Sequence, residues 1–139
     1  MKQIIRTAEE MEAAGADIVK SLPRPAVIYL HGDLGAGKTT FVRGALRELG
    51  HYGLVKSPTF TLVESYSLPD VEVYHFDLYR ISDPEELDYI GIREFCSASN
   101  ICFIEWPNLG QPLVPKAYME IFIQYVPEGR LINTQYNTF

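Results

Sequence analysis

"HGDLGAGKTTFVRG", residues 31–44, is the stretch that decides the fold class of this 139-residue chain. Gly32 to Thr39 fits the pattern G-x-x-x-x-G-K-[ST] at every fixed position, after the apolar run "AVIYL" and before apolar residues at helical spacing. This strand, glycine-rich loop and helix predict a phosphate-binding loop, because glycines let backbone N–H groups converge on phosphate oxygens. The alternative, a glycine-rich turn that only joins a strand to a helix, would not need Lys38 followed by a hydroxyl residue.

The loop predicts a nucleotide site in which the Lys38 ammonium reaches the β and γ phosphates and the Thr39 hydroxyl ligates Mg²⁺. ATP is favoured over GTP, because the guanine-reading sequence N-K-x-D does not occur in the 139 residues. The sequence shows no arginine-rich lid insertion after the loop helix, which favours a slow ATPase or a switch over a phosphotransferase. The residues expected to contact the nucleotide at this loop are Gly32, Asp33, Leu34, Gly35, Ala36, Gly37, Lys38, Thr39 and Thr40.

A Mg²⁺ ion held by one hydroxyl also needs a carboxylate at the end of a neighbouring strand, and two acids compete for that place. Glu105 follows the apolar run "ICFI", whereas Asp77 follows "VYHF", which a histidine interrupts. We assign Glu105 to the metal and Asp77 to the γ-phosphate side, where it would orient the attacking water or a metal-bound water. The alternative for Asp77 is a solvated acid paired with Arg80.

Further polar and aromatic residues lie near the expected site. "SPTFTL", residues 57–62, stands where nucleotide switches often place a hydroxyl that senses the γ-phosphate. Thr59 and Thr61 are both candidates, and the alternative is that they are ordinary strand threonines. Trp106 is typical of a core or interface ring, and structural roles are expected for His31 and His75.

Two further helices are predicted, one before the phosphate loop in the sequence and one after it. A capping box at Thr7 and apolar residues at helical spacing predict a first helix that ends at about Lys20. Asp83 before a proline predicts the start of another helix, whose apolar side would carry Leu87, Ile90 and also Phe95.

The remaining runs are typical of strands. "TFTLVESY" and "VEVYHFDLYRI" predict an antiparallel pair, "ICFIEW" a central parallel strand, and "YMEIFIQYV" and "RLINTQYN" a closing hairpin around "PEG". Together the elements predict an α/β fold of the P-loop NTPase type, a mixed sheet flanked by helices with a C-terminal β-hairpin. At this length we expect residues 1–139 to form a single domain.

Charge and composition limit the environment and the partners. The formal net charge is -6, which argues against a chain that binds a nucleic-acid backbone without help. The two cysteines match neither a redox pair nor a zinc pattern, and the sequence has neither an apolar run long enough to span a bilayer nor a signal peptide. We therefore expect a cytoplasmic protein that makes no membrane contact and meets RNA only through a partner.

Five blocks occur in series along the chain: "HGDLGAGKTTFVRG", "VKSPTFTLVESY", "YHFDLYRI", "DPEELDYIGIREF" and "CFIEWPN". In this order they resemble the bacterial TsaE family, also called YjeE, over roughly residues 26–115. The resemblance implies a P-loop fold and an Mg²⁺-dependent ATPase that works with the TsaB–TsaD complex. That complex transfers a threonylcarbamoyl group to an adenosine of tRNA, so TsaE would act on tRNA only indirectly.

The same resemblance implies roles for individual residues. Thr39 and Glu105 match the Mg²⁺ ligands of the family, Asp77 matches an acid needed for hydrolysis, and Trp106 matches a ring needed for activity. This agrees with the placement of both acids from the residues alone, and it adds a functional role for the tryptophan.

The family pattern also implies contacts from outside the loop. Thr7 and Glu10 would help to form the adenine side of the pocket, and Arg130 would approach the nucleotide. Two alternatives to a partner-activated ATPase stay open, a nucleotide-gated binding module with negligible hydrolysis and a small-molecule kinase.

Overall fold

The structure, a computed structural model, describes residues 1–137. Strands and helices alternate along most of this part of the chain, as the sequence pattern predicts. Their bounds are β1 Lys2–Ile5, α1 Ala8–Lys20, β2 Ala26–His31, α2 Lys38–Glu48, β3 Val63–Ser67, β4 Glu72–Asp77, α3 Glu85–Ile90, α4 Ile92–Phe95, β5 Ile101–Glu105, β6 Met119–Val126 and β7 Gly129–Tyr136. A short 3-10 turn, Pro107–Gly110, follows β5. No helix within residues 1–137 is both long and apolar enough to cross a bilayer.

The strands form one seven-stranded sheet in the order β1-β7-β6-β2-β5-β4-β3. Strand β2 pairs parallel with β5 and β6, and β4 pairs parallel with β5, whereas β3, β7 and β1 join antiparallel. All five residues of β5 are buried, because helices and loops cover both faces of the sheet at its centre. The predicted mixed sheet, its central strand and its closing hairpin are confirmed.

Helices α1 and α2 pack together on one face of the sheet, and their backbones touch. A Cβ placed on Gly15 would lie 2.0 Å from the Phe41 carbonyl oxygen, and one placed on Gly44 would lie 1.9 Å from the Glu12 carbonyl oxygen. Only glycine allows so close an approach of the two helices. The contact fixes α2, and with it the loop that precedes α2, against the N-terminal helix.

The opposite face carries α3 and α4, and here the sequence expectation is partly wrong. Gly91 adopts a left-handed conformation with a φ of 83° and ends α3, so that two short helices replace the single predicted one. Leu87 is buried as expected, but Ile90 is 37% exposed because it lies at this break. The predicted start is one residue early, because α3 begins at Glu85 and Pro84 occupies its N-cap position without a side-chain cap; Asp83 lies just before it and accepts from the backbone N–H of Glu85.

The N-terminal elements differ from expectation by one added strand. Thr7 caps α1 as predicted, accepting from the backbone N–H of Glu10, and α1 ends at Lys20. Strand β1, which the sequence pattern did not predict, pairs antiparallel with β7, where Ile5 lies opposite Arg130. The chain before α1 is therefore tied to the C-terminal hairpin.

Candidate nucleotide-binding site

The phosphate loop lies at the centre of the sheet, where it leaves the carboxyl end of β2 and enters α2. Parallel strands β4 and β5 end at the same edge of the sheet, and there Asp77 and Glu105 are register partners. Leu30, just before the loop, is the register partner of Glu105 on the other side. The topology therefore brings the loop and both predicted acids to one edge, which is where open α/β sheets bind ligands.

Lys38 is buried and has three contacts at this edge. Its ammonium Nζ donates to the Gly32 carbonyl oxygen at 2.5 Å, lies 3.3 Å from Glu105 Oε1, and stands 4.8 Å from the centre of the Trp106 ring. Lys38 and Glu105 are only 5% and 4% exposed. The carboxylate is the counter-ion that makes burial of the lysine charge tolerable.

Glu105 has a second partner, the fully buried His75. His75 Nε2 lies 2.5 Å from Glu105 Oε2, and because an ionised carboxylate can only accept, we assign the proton to Nε2. Burial raises the pKa of the Glu105 carboxyl, but the His75 hydrogen bond and the charge of Lys38 outweigh burial and hold that pKa below its ordinary value. Glu105 is therefore a charged ligand at neutral pH.

A cavity of about 210 Å³ opens above this group. Thr39, Glu105 and Thr59 all line it, together with Lys38 and the loop glycines. A hydroxyl and a carboxylate are oxygen ligands of the kind that Mg²⁺ prefers, and the metal keeps several waters when it binds a nucleotide. The donor set of this cavity therefore fits an Mg²⁺ ion bound with a polyphosphate, in agreement with the residues assigned from the sequence.

Asp77 is buried beside that cavity and is held by two donors. Asp77 Oδ2 accepts from the Thr59 hydroxyl at 2.9 Å, and Oδ1 accepts from the Tyr79 backbone N–H at 2.9 Å. The alternative of a solvated acid paired with Arg80 is wrong, because Asp77 is 2% exposed and the Arg80 guanidinium lies over the Phe60 ring, 4.4 Å from its centre.

The two candidate threonines lie in the turn before β3, so the alternative of strand threonines is wrong as well. Thr59 lines the metal-side cavity and also a neighbouring one that contains Asp77. Thr61 instead donates to the Glu64 carboxylate at 2.7 Å. Of the two, Thr59 is the residue placed between the metal side and Asp77, and a role in sensing the γ-phosphate stays a prediction for it.

Trp106 follows Glu105 with a left-handed backbone, at a φ of 55°. Its ring lies between Lys38 and Tyr79, whose ring centre is 5.1 Å away. The indole Nε1 is buried without a hydrogen-bond partner among the residues that the structure describes. The ring is thus part of the surroundings of the lysine, and its functional role stays a prediction.

A second cavity, of about 240 Å³, lies on the other side of the loop, between it, the start of α1 and β7. Thr7, Thr40 and Arg130 line this cavity together with apolar side chains such as Met11. It is the place where the adenine side of the pocket is expected. Glu10 accepts from the backbone N–H of Arg6, and so its side chain serves the start of α1. Adenine contacts of these residues stay predictions.

Two residues with a place in this geometry were missed by sequence reasoning. His75, for which the sequence predicts only a structural role, binds the Glu105 carboxylate, and the signal for such a buried polar contact is a histidine inside the apolar strand β4. Tyr125 on β6 donates its hydroxyl to the Leu34 carbonyl oxygen of the phosphate loop at 3.1 Å. No sequence signal marked Tyr125, because an aromatic residue in a hairpin strand is common.

The sequence model of one protein family, described as "Threonylcarbamoyl adenosine biosynthesis protein TsaE", matches residues 5–132. The chain belongs to the TsaE family. This confirms the resemblance read from the five sequence blocks, and it associates the chain with tRNA threonylcarbamoyladenosine biosynthesis, the process for which the family is named.

TsaE relatives from several bacteria match most of the chain. The tRNA threonylcarbamoyladenosine biosynthesis protein TsaE of Haemophilus influenzae is 52% identical over 106 residues, which are 76% of this chain and 67% of the relative. The protein of the same name from Bacillus subtilis is 37% identical over 127 residues, covering 89% and 79%. The crystal structure of YdiB from Bacillus subtilis superposes with a TM-score of 0.80 at 30% identity, over 96% of this chain and 82% of that one. The P-loop NTPase-like fold is consistent with this likeness.

Proposed function

We propose that this chain is a cytoplasmic, Mg²⁺-dependent ATPase that acts on the TsaB–TsaD complex during tRNA threonylcarbamoyladenosine modification. The observation that carries this conclusion is the cavity that gathers Lys38, Thr39, Glu105 and Thr59 above a complete phosphate loop. Asp77, bonded to Thr59, adds a second buried carboxylate beside it. Metal binding and water activation each require a carboxylate, and Glu105 and Asp77 can serve these two tasks because they have separate partners.

Thr39 and Glu105 would hold the Mg²⁺ ion. Bound there, the ion would neutralise the charge that the β and γ phosphates develop during transfer. Lys38 binds the same phosphates, and their oxygens replace Glu105 as its main counter-ion. The buried ion pair thus keeps the lysine oriented toward the loop before nucleotide arrives.

Asp77 and Thr59 supply the hydrolytic side. The Thr59 hydroxyl holds one carboxylate oxygen of Asp77, and the Tyr79 backbone holds the other, so the acid is fixed in orientation. When Thr59 turns toward a γ-phosphate, Asp77 Oδ2 becomes available to accept a hydrogen bond from the attacking water. Trp106 limits the freedom of Lys38 by covering its ammonium.

The partner assignment rests on charge as well as on the family. A chain with a net charge of -6 gains little from contact with a tRNA backbone. Docking on a tRNA-binding complex lets it act on the modification without touching tRNA. The threonylcarbamoyl chemistry would then belong to the TsaB–TsaD pair, and hydrolysis here would reset that pair between turnovers.

The test is release of phosphate from Mg-ATP by the purified chain, alone and with the TsaB–TsaD complex. We expect slow release by the chain alone and a clear rise with the complex. Equal rates in both would refute activation by the partner. Labelled γ-phosphate found on a small metabolite instead of as free phosphate would favour a kinase.

A second function, a nucleotide-gated binding module, is favoured by one observation. The groups expected to act in hydrolysis bind each other here, Lys38 with Glu105 and Asp77 with Thr59. Asp77→Asn distinguishes the two functions, because the Asn oxygen can still accept from the Tyr79 N–H and its NH2 can donate to the Thr59 hydroxyl, but the amide is a much weaker base than the carboxylate. If the module assignment holds, this variant binds ATP and supports repeated tRNA modification; as an ATPase it binds ATP but modification stops.

A further inference from the structure

Two side chains of the C-terminal hairpin bind the back of the phosphate loop. The Tyr125 hydroxyl donates to the Leu34 carbonyl oxygen at 3.1 Å. Arg130 donates from Nη2 to the Gly35 carbonyl oxygen at 3.4 Å and from Nε to the Ala36 carbonyl oxygen at 3.1 Å. Three successive loop carbonyls therefore point toward the hairpin.

Because the peptide bond is planar, the hairpin contacts also determine the direction in which the loop N–H groups point. In a trans peptide the C=O of one residue and the N–H of the next point in opposite directions. Carbonyls 34, 35 and 36 that face the hairpin oblige the N–H groups of residues 35, 36 and 37 to face away from it. The Ala36 N–H donates to the Asp33 carbonyl oxygen at 3.0 Å, so among these three the Gly35 and Gly37 N–H groups are the ones available to phosphate. Positive φ angles of 80° at Gly35 and 114° at Gly37 permit this conformation.

The Arg130 guanidinium is occupied by these contacts. Besides the two loop carbonyls it donates from Nη1 to the Gly129 carbonyl oxygen at 3.1 Å, and its Cζ lies 4.0 Å from the centre of the Tyr125 ring. Ile5 on β1 is the register partner of Arg130, and so the hairpin that carries the guanidinium is itself anchored by the N-terminal strand. Arg130 is thus a fixed support on the hairpin side of the loop, and it does not line the cavity that contains Lys38 and Thr39.

We propose that Tyr125 and Arg130 are positioning residues, which we call the hairpin clamp, that orient the loop amides for phosphate before nucleotide arrives. In that role, which presupposes the proposed nucleotide binding, Arg130 acts through the loop backbone and not by touching the base. The clamp lowers the loss of conformational entropy that the loop would otherwise undergo when it binds phosphate. Its effect concerns the polyphosphate part of the ligand.

Tyr125→Phe is the sharpest variant, because it removes one hydroxyl from a side chain that is half exposed and leaves the ring beneath Arg130 in place. Tyr136→Phe makes the same chemical change at the far end of the same hairpin and serves as the matched control. Arg130→Gln removes the remaining two loop contacts. The probe is inorganic triphosphate with Mg²⁺, which has no base or ribose, and its affinity is measured by calorimetry.

We expect Tyr125→Phe to weaken triphosphate binding about three- to tenfold, the factor that a single hydrogen bond contributes, and Arg130→Gln to weaken it more. In the nucleotide-free protein, amide exchange at Ala36, whose N–H donates to the Asp33 carbonyl oxygen, should become faster in both variants, as measured by NMR, and should stay unchanged in Tyr136→Phe. The exchange result needs no bound ligand and reports the conformation of the loop alone.

These measurements distinguish failure of the clamp from failure of the proposed nucleotide binding. If the wild-type chain binds neither Mg-ATP nor triphosphate, the proposed nucleotide function fails; if it binds Mg-ATP but not triphosphate, the clamp is overturned and the function stands. If it binds and Tyr125→Phe behaves as wild type in affinity and exchange, the clamp is overturned. A loss in Arg130→Gln alone, without a change in loop exchange, would mean that Arg130 contacts the ligand directly.

Discussion

Glu105→Gln tests the buried charge arrangement at the centre of the site. The substitution keeps the shape of the side chain and an oxygen for His75, but it removes the negative charge that lies 3.3 Å from Lys38 Nζ. Removing one partner of a buried ion pair costs about 3–5 kcal/mol. Because Lys38 keeps the Gly32 carbonyl and the Trp106 ring, we expect the lower end, a loss of about 3 kcal/mol in the free energy of unfolding.

The assay is urea unfolding at neutral pH, followed by circular dichroism without nucleotide. For a chain of this length a loss of that size corresponds to a fall of about 10 °C in Tm. Glu128→Gln, the same substitution at an exposed turn, is the control and should leave the free energy of unfolding and the Tm unchanged. A loss below about 1 kcal/mol for Glu105→Gln would refute the view that the lysine charge depends on this carboxylate.

The double variant Lys38→Met/Glu105→Gln tests whether the lost stability comes from the uncompensated lysine charge. It removes the cation that the single variant leaves buried without a counter-ion, so much of the lost stability should return. Simple addition of the two single effects would contradict a direct interaction between the charges. With nucleotide, Glu105→Gln should weaken Mg-ATP binding more than metal-free ATP binding, and an equal effect on both would exclude Glu105 as a metal ligand.

Three further outcomes are expected. The lowered pKa of Glu105 means that its contribution to stability is present above its ordinary pKa of 4.5 and is lost as pH falls through the folded value; unfolding curves of wild type and Glu105→Gln should converge at low pH, and parallel curves would contradict this. Gly44→Ala should cost about 3 kcal/mol or more, since its Cβ would lie 1.9 Å from the Glu12 carbonyl oxygen, and a melting temperature equal to wild type would disprove the close helix contact. Thr59→Val should slow hydrolysis about tenfold or more through loss of the bond to Asp77 while Thr59→Ser keeps it; normal turnover in the valine variant would rule out that bond.

The parts of the site that sequence predicted are those that short-range pattern determines. The spacing from Gly32 to Thr39 predicts the loop, and an acid directly after an apolar run places Glu105 at the end of a buried strand. The sequence also predicts Asp77 at a strand end on the γ-phosphate side, but the parallel pairing of β4 with β5, which makes the two acids register partners, is seen only in the structure. Their proximity follows from this topology, and their roles stay predictions.

The parts that sequence did not predict depend on partners far along the chain. Strand β1 has only four residues, and its pairing with β7 joins Lys2 to Asn133. His75 finds its carboxylate thirty residues later, and its role could not be read without the β4–β5 register. Gly91 is a possible helix end, but a glycine inside a helical pattern is also tolerated. The pattern alone therefore does not decide between one helix and two.

The pairing of β1 with β7 has a consequence for the order in which the protein matures. The phosphate loop is encoded in the first third of the chain, yet its supports, Tyr125 and Arg130, lie close to the other end. During synthesis the loop and α2 would emerge long before the hairpin that holds them, and closing so long a segment is slow. On the proposed role of the hairpin clamp, full nucleotide affinity would therefore arise as a late event of folding, and a nascent chain without its last two strands would bind nucleotide more weakly at the loop.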